Sequence, residues 1–108
     1  MAETKVLVIY PRPTDVDAFE KAYVEEHVPL AVEKIKGVIK FVATKVVGSA
    51  DGGTPPFYRI AELYFPSMQA LQDSMASPGT QEAAAHAAAI STGGPPIILI
   101  AEQETTTF

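Results

Sequence analysis

The chain has 108 residues, with 13 acidic against 8 basic side chains, a formal charge of -5 and 47% hydrophobic residues. That length predicts one domain over residues 1–108, and the apolar share excludes a disordered chain. The acidic balance argues against nucleic acid or an anionic membrane as partner, because both need clustered cations. The absence of Cys excludes disulfides, thiolate nucleophiles and thiolate metal sites.

No apolar run approaches the roughly 20 residues of a membrane span. The short run Val6–Tyr10 stops at Pro11 and is no secretory leader, so a cytoplasmic location is expected. That run, Val6-Leu7-Val8-Ile9-Tyr10, is β-branched and aromatic without polar alternation, which predicts a strand buried on both faces. Pro11-Arg12-Pro13 ends it. Thr14 or Asp15 can then cap a helix whose stripe is Val16, Phe19, Tyr23, His27 and Leu30. Pro29 lacks an N–H and crowds the Glu25 carbonyl, so a kink or break is expected just before it, with a second piece to about Lys36. Gly37 caps that piece and opens a second strand, Val38 to Val47. A long loop, Gly48 to Pro56, leads to a third strand, Phe57 to Phe65. Pro66-Ser67 starts a helix with Met68, Leu71 and Met75 as its stripe, and Ser77-Pro78 reads as a fresh cap before a piece from Gln81 to about Ile90. Gly93-Gly94-Pro95-Pro96 turns the chain into a last apolar strand, Ile97–Ala101.

The order βαββαβ predicts an α+β fold, a ferredoxin-like sandwich in which an antiparallel four-stranded sheet carries its helices on one face. The first and last strands are apolar at odd and even positions alike, which would leave a large patch on the second face. Packing that face against the same face of another copy covers it, so a homodimer through the sheet face is expected.

Tyr10-Pro11-Arg12-Pro13, Phe19 to Tyr23, His27-Val28-Pro29-Leu30-Ala31, Ala61 to Met68 and Ser77-Pro78 together resemble the EthD family over about residues 4–104. The family is named after an ethyl tert-butyl ether degradation cluster. The resemblance implies a dimeric α/β-barrel, in which two ferredoxin-like sheets pair. It implies no single reaction, since superfamily relatives include muconolactone isomerases, cofactor-independent monooxygenases, polyketide cyclases and haem-binding proteins.

His27 is the leading candidate for chemistry. It stands where a hydrophobe is expected on the helical stripe, beside backbone made irregular by Pro29. An imidazole there can move a proton near neutral pH, or it can donate to the freed Glu25 carbonyl and hold the kink. Glu62 lies mid-strand, and a period of two puts it on one face with Tyr58, Ile60 and Tyr64. It can act as acid or base, or be held by a tyrosine or a cross-strand lysine. Tyr64 completes the candidate catalytic set, with a phenol that could orient substrate or stabilise an oxyanion. Tyr10, Phe19, Tyr23, Phe41, Leu71 and Met75 are expected to line an apolar pocket between sheet and helices near Pro29. His86, in a run of alanines, is expected to pair at the surface with Glu82 one turn before it.

Neither metal nor cofactor is expected. The two histidines are far apart in sequence, and the chain has no Gly-x-Ser-x-Gly elbow, Walker lysine or Gly-x-Gly-x-x-Gly after a strand. The residues fit a cofactor-independent enzyme of proton-transfer, isomerase or monooxygenase type acting on a small hydrophobic metabolite. The alternative is a non-catalytic, ligand-binding accessory protein of a degradation pathway.

Overall fold

The computed structural model describes residues 3–108. Strands β1 (Glu3–Pro11), β2 (Lys40–Lys45), β3 (Phe57–Phe65) and β4 (Ile97–Gln103) form one antiparallel sheet in the order β2-β3-β1-β4. Between β1 and β2 run α1 (Val16–Ala22), a π-helical turn (Tyr23–His27) and α2 (Val28–Lys34). Between β3 and β4 run α3 (Met68–Met75) and α4 (Pro78–Ile90). This is the ferredoxin-like α+β arrangement.

The helix starts follow their capping side chains. Asp15 accepts from the Ala18 N–H at 3.0 Å, Ser67 from Ala70 at 3.1 Å and Ser77 from Thr80 at 3.3 Å. The joint expected before Pro29 takes the form of the π-helical turn, with no break in the helix. Val28 N–H donates to the Tyr23 carbonyl, and this irregular turn takes up the missing N–H of Pro29 directly after it. The wider turn keeps Phe19, Tyr23 and His27 all on the buried side. The helix stops at Lys34, short of Lys36, and Gly37 lies in the following link with φ 84°, a left-handed conformation that suits glycine. β2 is shorter than the Val38–Val47 expected, and its mostly exposed residues leave it an edge strand.

β1 and β3 pair in register from Thr4–Phe65 to Tyr10–Arg59, after which Pro11 faces Phe57 and Tyr58 is the extra residue of a bulge. The bulge brings Tyr58 to the helix side, where its ring meets Phe19 at 5.8 Å. Tyr58 therefore leaves the face it was expected to share with Glu62 and Tyr64. Below the bulge the alternation is regular. Val6, Val8 and Tyr10 face the helices with Leu63, Ala61 and Arg59, while Lys5, Leu7 and Ile9 face away with Tyr64, Glu62 and Ile60.

Two apolar clusters fill the space under the helices. One gathers Val6, Ala61, Leu63, Phe65 and Leu71, and the other Tyr10, Phe19, Tyr23, Tyr58 and Ala87. A Cβ on Gly79 would stand 2.3 Å from the Lys34 carbonyl oxygen, so only glycine lets the start of α4 close on the end of α2. That approach, with the small side chains of Ala83 and Ala87 buried, lays α4 against the π-helical turn. On β4 the apolar run is as two-faced as its sequence, and Ile97, Ile98, Leu99 and Ile100 are 40–56% exposed.

Candidate functional site

His27 ends the π-helical turn and is 6% exposed. Its Nε2 lies 3.2 Å from the Tyr10 hydroxyl, and its Nδ1 lies 3.0 Å from Nδ1 of His86 on α4. The two imidazole planes are parallel within 3° and their centres are 5.2 Å apart. Rings joined nitrogen to nitrogen at this distance reach such a separation only when the bond lies nearly along the line of centres. The imidazoles are thus edge to edge in almost one plane, the geometry of an aligned N–H···N hydrogen bond. His86 Nε2 in turn lies 3.9 Å from the Glu26 carboxylate.

Burial, and then the neighbouring His86, lower the His27 pKa from 6.5 to about 4. His27 is therefore a neutral ring near neutral pH. Burial also raises the Tyr10 phenol above its usual range, with Tyr23 adding to the effect, so Tyr10 stays protonated. Behind them the Tyr23 ring lies 5.7 Å from His27 and carries the Arg59 guanidinium 5.0 Å from its centre. Burial pushes the Tyr23 phenol up to about 12, and its buried hydroxyl makes no hydrogen bond among the described residues.

Tyr10 and His27 line a cavity of about 50 Å³ between the sheet and the helices. Phe41 and Met75 line it too, with Ala83 and Ala84 from α4 and Ile98 from β4. Among the described residues no Lys, Arg, Asp or Glu contributes to its wall. The volume is about a third of the ~150 Å³ apolar cavity that holds a benzene ring. A ring-sized occupant therefore requires lining side chains such as Met75 to swing aside.

Of the residues expected at the pocket, Tyr10, Phe41 and Met75 are on its wall with His27. Phe19 and Tyr23 are packed around Tyr10 in one core cluster, and Leu71 is fully buried in the other. Glu62 and Tyr64 do not reach His27. The alternation that puts Tyr10 under the helices puts both on the opposite face, opposite Leu7 and Lys5 of β1. There Glu62 accepts from Lys5 at 2.9 Å, and the Tyr64 hydroxyl bonds to Gln103 at 2.7 Å. His27 is not bonded to the Glu25 carbonyl, since both ring nitrogens face side chains.

His86 is the site residue that sequence reasoning misplaced. It meets His27 and Glu26 rather than Glu82, because α4 packs against the π-helical turn. The signal was present in the alanines around it, which allow a helix to approach its neighbour closely enough for an imidazole to bridge the gap. The two histidines lie far apart in sequence and in contact in space, yet among the described residues no third His, Cys, Asp or Glu joins them in a metal-binding group.

Fold and site define a small ferredoxin-like protein with a histidine pair whose inner member, His27, stands at the wall of an apolar cavity. A model of the EthD domain family matches residues 11–91, and the chain belongs to the EthD family. It is 40% identical over 101 residues to an uncharacterised 11.0 kDa protein from the thcB–thcC intergenic region of Rhodococcus erythropolis, covering 94% of this chain and 95% of the relative. Among solved structures, it is similar to an EthD family protein of Bacillus halodurans, with TM-score 0.85 and 28% identity, covering 94% of this chain and 99% of that one. A dimeric ferredoxin-like protein of unknown function from Jannaschia shares the fold, with TM-score 0.61 and 15% identity over 97% of this chain and 100% of that one.

Proposed function

We propose that this chain is a cofactor-independent enzyme that moves a proton on a small, uncharged, hydrophobic metabolite bound beside Tyr10 and His27. One observation carries the reading: a buried, hydrogen-bonded imidazole at the wall of an apolar cavity. A dry surround strengthens each polar contact made there, and the lack of a charged wall residue among the described ones selects for an uncharged ligand. The working form is a homodimer through the open sheet face, where Leu7, Ile9, Ile97 and Leu99 share one apolar area. The setting is the cytoplasm.

Titrating the ¹⁵N-labelled protein with phenol, and with benzoate as charged control, tests the pocket. Saturable shifts at Tyr10, His27 and Ala84 with phenol, absent with benzoate, are expected. Phenol shifts confined to β4, or equal binding of benzoate, would overturn the pocket assignment. Light scattering tests the assembly, and a monomer at micromolar concentration would overturn the dimer.

A further inference from the structure

We infer that Tyr10, His27 and His86 form a proton relay from the cavity to the surface, in which the Tyr10 hydroxyl, not the His27 ring, meets the substrate. The inference rests on the proton-transfer reading above and alters who performs the first step. Both nitrogens of His27 are occupied, Nε2 by Tyr10 and Nδ1 by His86. A neutral ring offers one donor and one acceptor, so neither nitrogen is left for a ligand. Tyr10 lines the cavity, and its oxygen keeps acceptor capacity when its proton points to His27.

The direction of the file follows from where its ends lie. If Tyr10 donates to His27 Nε2, then His27 carries its proton on Nδ1 and donates to His86 Nδ1. His86 then carries its proton on Nε2 and presents it to the Glu26 carboxylate, 3.9 Å away. The first two protons of that file have an acceptor within hydrogen-bond distance, and the third faces a carboxylate. In the reverse direction the Tyr10 proton has no acceptor among the described residues, because Tyr10 bonds there only to His27. The lone pair of His86 Nε2 would also face a carboxylate. A hydroxyl buried without an acceptor carries its full desolvation penalty, so the outward direction wins.

The deprotonation step balances without an outside oxidant or reductant. An acidic C–H or O–H of the ligand gives its proton to the Tyr10 oxygen as the Tyr10 proton passes to His27 Nε2. The His27 Nδ1 proton passes to His86 Nδ1, and the His86 Nε2 proton leaves to Glu26 or water. The ligand keeps the electron pair as an enolate or phenolate, and both histidines end neutral in the other tautomer. A proton returned along the same file, from Glu26 or water through His86, His27 and Tyr10 to another atom of the ligand anion, completes the turnover and restores both tautomers. The exit is open, since the His86 side chain is 26% exposed. The fitting substrate class is a neutral carbon acid or phenol, whose conjugate base is resonance-stabilised. His86 is a relay residue, with no place at the cavity wall.

The test uses the full-length protein without substrate. Histidine ¹⁵N spectra near neutral pH are expected to show His27 protonated on Nδ1, His86 on Nε2, and a coupling across the two Nδ1 atoms. Exchange of the Tyr10 hydroxyl proton with water is expected to slow on the order of 100-fold in His86→Gln and His86→Ala. A His86 that only packs predicts the opposite sign, because removing it opens the site to water. Reversed tautomers, or exchange unchanged or faster in both variants, would overturn the relay. Phenol binding reads the pocket separately: binding with reversed tautomers rejects the relay alone, and expected tautomers without binding reject the substrate reading alone.

Discussion

The two faces of the sheet carry polar clusters of opposite character. Under the helices, Tyr10, His27 and His86 run in single file, and the cavity beside them is apolar. On the open face, Lys5 donates to Glu62 at 2.9 Å and to Gln103 at 2.7 Å, Tyr64 bonds to Gln103 at 2.7 Å, and the Lys40 ammonium stands 4.1 Å from the centre of the Tyr64 ring. In that second cluster the Lys5 ammonium and the Glu62 carboxylate neutralise one another, and the bond to Glu62 is the main cause that raises the Lys5 pKa. A carboxylate, a phenol and an ammonium that satisfy one another have little left to offer a ligand. The first cluster is held just as firmly, yet its end member borders empty apolar space. Residue type alone does not separate the two clusters; the company each group keeps does.

Acid is the strongest way to break that contrast. The His27 pKa is lowered to about 4 in the folded chain, against about 6.5 unfolded. Between those values the unfolded state binds more protons, so stability is expected to fall as pH drops from about 6.5 to about 4, by about 3 kcal/mol in all. Glu20, held below the usual carboxylate range first by its bond from Arg59, adds a loss only at lower pH, as it titrates through its depressed folded value. Denaturant unfolding at stepped pH checks this. In His27→Asn the slope above the carboxylate range should vanish, and a slope that persists would place the acid sensitivity elsewhere.

The second effect belongs to the open face. Lys5→Met leaves Glu62 without its ammonium partner and is expected to cost about 2 kcal/mol, read as a lower melting temperature. Phenol binding and the His27 tautomer should stay as they are, because the sheet separates the two clusters. Loss of either would join the faces that the structure keeps apart.

The fold was legible because its signals are local or periodic. Apolar runs placed β1, β3 and β4, and Asp15, Ser67 and Ser77 cap helices where their spacing said they would. The site was half legible. His27 was visible as a polar residue on an apolar stripe, but its partners come from β1 and α4, at sequence separations of 17 and 59. No periodicity reports such pairings; only packing does. Glu62 and Tyr64 were visible as mid-strand polar groups, and strict alternation fixed their shared face. What the pattern left open was which face the helices would cover, and Tyr10 on that covered face decides against them. The bulge at Tyr58 gave no sign in the sequence, since it arises from how Pro11 meets β3.

The smallest predicted effect compares two phenols, one on each face. Tyr64→Phe removes the bond to Gln103 at 2.7 Å and a longer one to Glu62 at 3.3 Å, and it is expected to cost about 1 kcal/mol. The titration of His27 should not move. Tyr10→Phe removes a single bond of 3.2 Å but leaves the buried His27 Nε2 without a donor, so its cost in stability should be of the same order. That bond, however, is made to the neutral form of His27, with Nε2 as acceptor. Losing it favours the charged form, and the His27 pKa should rise from its lowered value toward the ordinary histidine range. An NMR titration of the two variants reads both effects. A His27 pKa that rises with Tyr10→Phe and stays fixed with Tyr64→Phe keeps the clusters distinct, whereas a fall with Tyr10→Phe would mean that His27 donates to Tyr10 and that protons run inward.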